Sequence, residues 1–161
     1  MLNPEFLPFA GGETKTLAEM ADWLRRATDD VEGITLLGGE PFAHAESAAA
    51  LAQYARDLGL SVMVFSGFTL DQIYHAERDD YIQLLALTDI LVDGPYLREQ
   101  PDTARRWVGS TNQRIHFLTD RYCFDERWQQ RDRLHCFHQA DNRGEIHRRR
   151  RPDGQGLVEL G

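Results

Sequence analysis

A short segment after an apolar run contains two glycines, an acid and a proline. In residues 36–42, LLGGEPF, Gly38 and Gly39 expose backbone, because a glycine has no Cβ to keep a ligand away. Glu40 offers a carboxylate that could hold an ammonium group or a ribose hydroxyl through charge-assisted hydrogen bonds. Together with Pro41, these residues predict a binding loop.

Two later segments also place a polar residue beside glycine at the end of an apolar run. Ser66, which both donates and accepts hydrogen bonds, precedes Gly67, and Asp93 precedes Gly94 and Pro95. The alternative for each segment is an ordinary strand-to-helix turn, where glycine, proline and aspartate are common. Because the pattern occurs at three successive strand ends, a binding site is favoured.

Apolar runs and helical periodicity predict the elements that position these segments. Thr16 with Glu19, and Thr69 with Gln72, match the capping box that begins a helix. A βαβαβ order gives a parallel sheet with helices on its outer side. The carboxyl ends of the strands then meet at one edge, where α/β folds bind ligands. The predicted strands are 33–37, 60–65 and 89–93, and the predicted helices are 16–28, 44–58 and 69–86.

The regular alternation of predicted strands and helices ends after the third strand. Residues 98–112 are polar and predicted to be a loop, 114–118 a short strand, and 121–161 an irregular β-hairpin extension with turn chemistry. The chain is therefore divided into a domain of residues 1–120 and this extension. The basic run 147–151 is interpreted as a solvated hairpin edge, with contact to an acidic partner as the alternative.

Composition excludes several classes of protein. The 161 residues are 42% apolar and carry a formal net charge of -8, which argues against nucleic-acid binding, since the phosphate backbone selects basic surfaces. No apolar run approaches the roughly 18 residues that would span a membrane, and no basic-then-apolar leader opens the chain. A cytoplasmic setting is predicted.

The two cysteines, Cys123 and Cys136, are too few for a disulfide scaffold. Cys136 and His138 would share a strand face, so a zinc site with Cys123 or His147 is one alternative. Structural zinc sites need four ligands at tighter spacing, and reduced thiols are therefore favoured. No catalytic residue and no metal ligand is assigned.

Four motifs occur in order within residues 3–118. GGEP resembles the motif with which radical S-adenosylmethionine enzymes bind the methionine amino group of their cofactor. The order of all four resembles the activating proteins of anaerobic ribonucleotide reductase. The motifs are NPE at 3–5 with a Gly-Gly pair at 11–12, GGEP at 38–41, VDGP at 92–95 and GSTNQR at 109–114.

The resemblance implies a fold, a cofactor and site residues. Gly38, Gly39, Glu40 and Pro41 would contact the amino acid part of S-adenosyl-L-methionine, and Ser66 and Asp93 would contact the cofactor from the next strands. In the family, the complete enzyme reductively cleaves this cofactor at a [4Fe-4S] cluster. The resulting radical abstracts hydrogen from a backbone glycine of anaerobic ribonucleoside-triphosphate reductase, and an electron donor such as flavodoxin is a further implied partner.

The cluster ligands of the family have no counterpart in this sequence. In the family a C-x-x-x-C-x-x-C loop, whose thiolates hold the cluster, places its third cysteine two residues before NPE, and here that position is Met1. We therefore predict a truncated sequence with a partial (β/α) barrel that lacks its first strand. The alternatives are a non-catalytic protein that retains an S-adenosylmethionine-like or nucleotide-like pocket, and an activase of a different glycyl-radical enzyme.

Overall fold

The computed structural model describes residues 14–123, 135–138 and 147–148. Within these residues, six strands pair in chain order to form one sheet. The strands are β1 (Gly33–Leu36), β2 (Ser61–Phe65), β3 (Ile90–Asp93), β4 (Arg114–Phe117), β5 (His135–His138) and β6 (His147–Arg148). The first three pairs of neighbours are β1–β2 and β2–β3, which are parallel, and β3–β4, which is antiparallel.

The register of β1, β2 and β3 confirms that these three strands are adjacent and parallel, as predicted. Leu36 lies beside Val64, and Val64 lies beside Leu91, so the carboxyl ends of β1, β2 and β3 share one edge of the sheet. Among the described strands no pairing joins β1 to β6. The sheet is therefore open, and the mixed α/β class with mainly parallel central strands is confirmed without a closed barrel.

Among the described residues, four α-helices flank the strands: the first precedes β1, the second lies between β1 and β2, and the last two lie between β2 and β3. Both predicted capping boxes are present, at Thr16 with Glu19 and at Thr69 with Gln72. A 3-10 helix, Pro41–His44, precedes the second α-helix. No helix among the described residues combines the length and the apolar character needed to cross a membrane. The helices are α1 (Leu17–Ala27), α2 (Ala45–Asp57), α3 (Leu70–His75) and α4 (Asp79–Leu87).

The prediction of one helix over residues 69–86 was wrong, because the segment forms α3 and α4 with a break between them. Glu77 has a positive φ of 50°, a conformation that interrupts a right-handed helix. Asp79 and Asp80 occupy the first turn of α4, where carboxylates favour a helix N-terminus. Arg78 also donates to Asp80 at 2.6 Å, and this contact supports the new start.

The helices cover one face of the sheet, as predicted for outer helices. The alanines of α2 are buried and allow close packing. The opposite face forms a second, smaller core with the segment after β4. The helix-side core includes Leu24, Phe42, Ala49, Ala52, Val62, Val64, Ile73, Leu84 and Leu91, and the second core includes Met63, Ile90, Val92, Phe117, Tyr122 and Cys123.

The C-terminal part of the chain continues the sheet. β5 pairs parallel with β4, and β6 pairs antiparallel with β5, the pairing that a hairpin would have. The division into residues 1–120 and an extension stays a prediction. Most of that extension, the NPE motif and the greater part of the basic run lie outside the described residues.

The expectation of reduced thiols was wrong for Cys123. This cysteine is disulfide-bonded and lies buried in the second core. Two thiols that are distant along a chain can meet only when the fold brings their backbones together, and sequence spacing does not show this.

Candidate functional site

The two glycines after β1 form an open stretch of backbone. Gly38 and Gly39 have φ values of +90° and +58°, which side-chain-bearing residues rarely adopt. Both residues are exposed, and apart from the glycine and its two chain neighbours no heavy atom lies within 4 Å of the position that a Cβ would take at either one. The segment therefore presents bare peptide groups toward free space at the carboxyl edge of the sheet.

Glu40 follows this stretch and is held by three hydrogen bonds. Its Oε1 accepts from the Phe42 amide at 3.1 Å and from Ser66 Oγ at 2.9 Å, and its Oε2 accepts from the Gly67 amide at 2.8 Å. The residue is only partly buried. Because a carboxylate has about four acceptor sites, it retains the capacity to bind a cationic donor of a ligand. Pro41 is buried behind it as the first residue of the 3-10 helix.

Ser66 is directly connected to Glu40 and supports the loop after β2. Its side chain donates to Glu40 and accepts from the Phe68 amide at 3.0 Å. The residue is 5% exposed. The structure thus brings two of the predicted site residues into contact and gives Ser66 a role in orienting the carboxylate.

Asp93 ends β3 and is almost completely buried, with 1% exposure. Its Oδ2 accepts from the Leu70 amide at 2.6 Å, and its Oδ1 lies 3.0 Å from His116 Nε2. Burial raises the pKa of the Asp93 carboxyl, but the hydrogen bond and charge of His116, the Leu70 amide and the charge of Arg114 outweigh it and keep that pKa below its usual range. Asp93 is joined to Ser66 and Glu40 through residues 66–70.

The lowered pKa of Asp93 predicts acid-sensitive stability. A carboxyl whose pKa is lower in the folded chain stabilises the fold above its unfolded pKa of about 3.9, and this stabilisation is lost as the pH falls through the folded pKa. Asp93→Asn should lower the free energy of unfolding at pH 7 by about 1.5–3 kcal/mol, because it removes hydrogen bonds to a charged acceptor.

Urea unfolding at pH 7, 5 and 3 tests the predicted stabilisation by Asp93, with Asp29→Asn at an exposed position as the matched control. The difference between the parent chain and Asp93→Asn should shrink at pH 3, because the carboxyl of the unfolded chain is then mostly protonated and the stabilisation that comes from the lowered pKa of the folded Asp93 decreases. A difference that stays the same at all three pH values would contradict the role given to the Asp93 charge.

The GSTNQR segment packs against the end of β3. Gln113 Nε2 donates to the Gly94 carbonyl at 3.1 Å, while its Oε1 accepts from the Gly109 amide at 2.8 Å. Asn112 Nδ2 donates to the Pro95 carbonyl at 2.7 Å. These side chains fix the backbone that follows Asp93, so the VDGP and GSTNQR motifs form one structural unit.

Arg105 holds the loop around this unit, and sequence reasoning did not identify it. Its Nε donates to Asp102 Oδ2 at 2.6 Å, its Nη1 to the Gln113 carbonyl at 2.9 Å and its Nη2 to the Thr111 carbonyl at 3.0 Å. His116 was missed as well. The sequence signal available for Arg105 was an aspartate three residues before it. The signal available for His116 was the alternation of side chains between the two faces of β4.

The site suits an amino acid group but supplies no ligand set for an iron–sulfur cluster. The open peptide groups at Gly38 and Gly39 can form hydrogen bonds with a ligand carboxylate, and the Glu40 carboxylate beside them can pair with an ammonium group. Cluster binding requires thiolates, whereas the sequence has two cysteines and Cys123 is disulfide-bonded. Among the described residues no group of three or more His, Cys, Asp or Glu is arranged to hold a metal ion.

Comparison with known proteins decides the family. The family model described as "4Fe-4S single cluster domain" matches residues 2–116. The chain belongs to this family. None of the solved structures compared matches the chain. The family match includes all three strand-end loops and the GSTNQR segment.

Relatives of this family member share one name, anaerobic ribonucleoside-triphosphate reductase-activating protein. The relative from Vibrio cholerae is 34% identical over 113 residues, which are 66% of each chain. The relative from Salmonella typhi is 34% identical over 91 residues, 54% of this chain and 56% of the relative. The relative from Pasteurella multocida is 28% identical over 120 residues, 70% of this chain and 71% of the relative. For the first two, the match spans just over half to about two thirds of the relative's length.

Proposed function

We propose that this chain binds S-adenosyl-L-methionine at the carboxyl edge of its sheet, as part of an activating protein for anaerobic ribonucleoside-triphosphate reductase. The observation that carries the proposal is the Gly38–Gly39 backbone, which is open and beside a partly exposed carboxylate. The names of the relatives support the reductase, rather than another glycyl-radical enzyme, as the partner.

Each residue at this edge of the sheet would make a different contact with the cofactor. Peptide groups of Gly38 and Gly39 would meet the amino acid end of the cofactor, and the Glu40 carboxylate would pair with its ammonium group by charge-assisted hydrogen bonds. Pro41 fixes the direction of the chain after Glu40. Ser66 and Asp93 would contribute from the ends of β2 and β3, since Ser66 donates to Glu40 and Asp93 accepts from the Leu70 amide.

Bound S-adenosylmethionine would supply the radical chemistry that the resemblance implies for the family. The chain's own residues bind and orient the cofactor. Delivery of the electron is assigned to no residue of this chain, because its cysteines do not provide the thiolates of a cluster site.

A second function, cofactor or nucleotide binding without catalysis, is favoured by the count of two cysteines. A [4Fe-4S] cluster held by three cysteines cannot be assembled from two. Both functions predict a ligand at the same edge of the sheet, and they differ in whether the chain can cleave that ligand.

Calorimetry with a ligand series tests the proposed binding site. S-adenosylmethionine should bind at least about tenfold more tightly than 5'-methylthioadenosine, which lacks the amino acid group and so forfeits the contacts at Gly38, Gly39 and Glu40. Adenosine serves as the control for recognition of the nucleoside alone. Equal affinities for S-adenosylmethionine and methylthioadenosine would contradict recognition of the amino acid end.

A further inference from the structure

A buried histidine lies beneath the candidate site and has no role in the binding just described. His116 is on β4, the antiparallel strand that contributes none of the three strand-end loops, and it is 3% exposed. In the register of the sheet it lies beside Leu91, two residues before Asp93. Its Nε2 is 3.0 Å from Asp93 Oδ1, and both side chains are nearly inaccessible to solvent.

The other oxygen of Asp93 holds the start of α3. Oδ2 accepts from the Leu70 amide at 2.6 Å, and the next residue, Gly94, donates its amide to the Phe68 carbonyl at 3.0 Å. The far end of the segment 66–70 is therefore anchored on the last residues of β3. A carboxylate that rotated away from His116 would also lose its alignment with the Leu70 amide.

The near end of the same segment holds Glu40. Ser66 Oγ and the Gly67 amide supply two of the three hydrogen bonds to the Glu40 carboxylate, at 2.9 and 2.8 Å. Ser66 Oγ also accepts from the Phe68 amide, so the serine rotamer depends on where Phe68 lies. A shift of this segment would be transmitted to the carboxylate that faces the open glycine backbone.

We infer that His116 is a positioning residue of the candidate site, which fixes Asp93 and, through residues 66–70, the orientation of the Glu40 carboxylate. The connection consists entirely of contacts between described residues and crosses from β4 to β3, to the start of α3 and to the loop after β1. The role of His116 in fixing Asp93 and Glu40 is independent of the proposed function. Only the effect of His116 on ligand affinity rests on that function.

Amide hydrogen exchange of the full chain tests the role of His116 in fixing Asp93 and Glu40 without any ligand. His116→Asn is too short to reach Asp93, whereas His116→Gln keeps a donor near the position of Nε2. Exchange at Gly67 and Leu70 should be about tenfold faster in His116→Asn and within about threefold of the parent in His116→Gln. The control Thr88→Val removes a buried hydroxyl at the opposite end of β3 and should leave these two amides unchanged.

A second variant keeps the exchange test decisive if His116→Asn does not fold. Asp93→Asn preserves the shape of the side chain but weakens its hold on the Leu70 amide, so the Gly67 amide must again exchange faster. Unchanged exchange at Gly67 in Asp93→Asn, or equal acceleration in His116→Asn and Thr88→Val, would overturn the inference.

A double-mutant cycle tests the effect on the site. His116→Asn should weaken S-adenosylmethionine binding about tenfold when Glu40 is present and less than about threefold in the Glu40→Gln background, because contacts that act through one another are not additive. Equal weakening in both backgrounds would show that His116 does not act through Glu40. If the parent chain binds no S-adenosylmethionine, the proposed function fails, and the exchange experiment still decides the role of His116.

Discussion

The 161-residue chain is expected to assemble no [4Fe-4S] cluster and to release no 5'-deoxyadenosine from S-adenosylmethionine. Such clusters are held by thiolates, and the sequence has only two cysteines, 13 residues apart, of which Cys123 is disulfide-bonded. Anaerobic treatment with iron and sulfide after reduction should give no stable charge-transfer absorption. Incubation with dithionite and the cofactor should then yield no cleavage product.

An extended chain that carries the three cysteines of the family provides the positive control for this prediction. Placing a C-x-x-x-C-x-x-C segment and a preceding strand before Asn3 should give about four irons per chain and restore cofactor cleavage. The same extension with its three cysteines changed to serine is the control. Four irons and cleavage with the 161-residue chain itself would contradict the prediction, and Cys123 and Cys136 would then be the first residues to replace.

Glu40→Gln is expected to weaken S-adenosylmethionine binding about ten- to a hundredfold. Hydrogen bonds to charged groups contribute about 1.5–3 kcal/mol, and the amide carries no charge to pair with the ammonium of the ligand. The amide nitrogen also cannot accept from Ser66 or Gly67, which both donate to the carboxylate. Calorimetry at pH 7 measures the effect, and circular dichroism confirms that the variant is folded.

Glu77→Gln is the matched control for this substitution, because it removes the same charge from an exposed residue between α3 and α4. Its affinity should equal that of the parent chain. If Glu40→Gln and Glu77→Gln bind S-adenosylmethionine equally well, Glu40 does not face the ammonium group. Methylthioadenosine, which has no ammonium group, should be affected much less by Glu40→Gln than S-adenosylmethionine is.

The parallel strands and the first two helices were predictable because their signals are local. Apolar runs of four or five residues predicted the parallel strands, and a threonine followed three residues later by an acid or amide begins a helix, as at α1 and α3. Both capping boxes formed. The break between α3 and α4 was not predicted because the apolar spacing continues through it. The residue with a positive φ at the break is Glu77 and not a glycine, so the usual sequence signal for a positive φ is absent.

The candidate site was predictable only in its outline. Glycine beside a polar residue at each strand end correctly indicated where Glu40, Ser66 and Asp93 meet the edge of the sheet. The composition of those loops did not show that Ser66 and Asp93 are buried. Nor did it show that His116 stands behind Asp93 or that Gln113 binds the Gly94 carbonyl, because these contacts join separate elements.

The sequence by itself determined the order and type of the central elements, the shared edge of the three loops and the resemblance to a family that the comparison then established. Only the tertiary structure decided which polar groups at that edge still face open space. Glu40 and Ser66 are 26 residues apart, and Asp93 and Leu70 are 23 apart, so no local pattern encodes their contacts. Accessibility and hydrogen bonding are fixed when the sheet and helices pack, since each buried polar group must find its partner there.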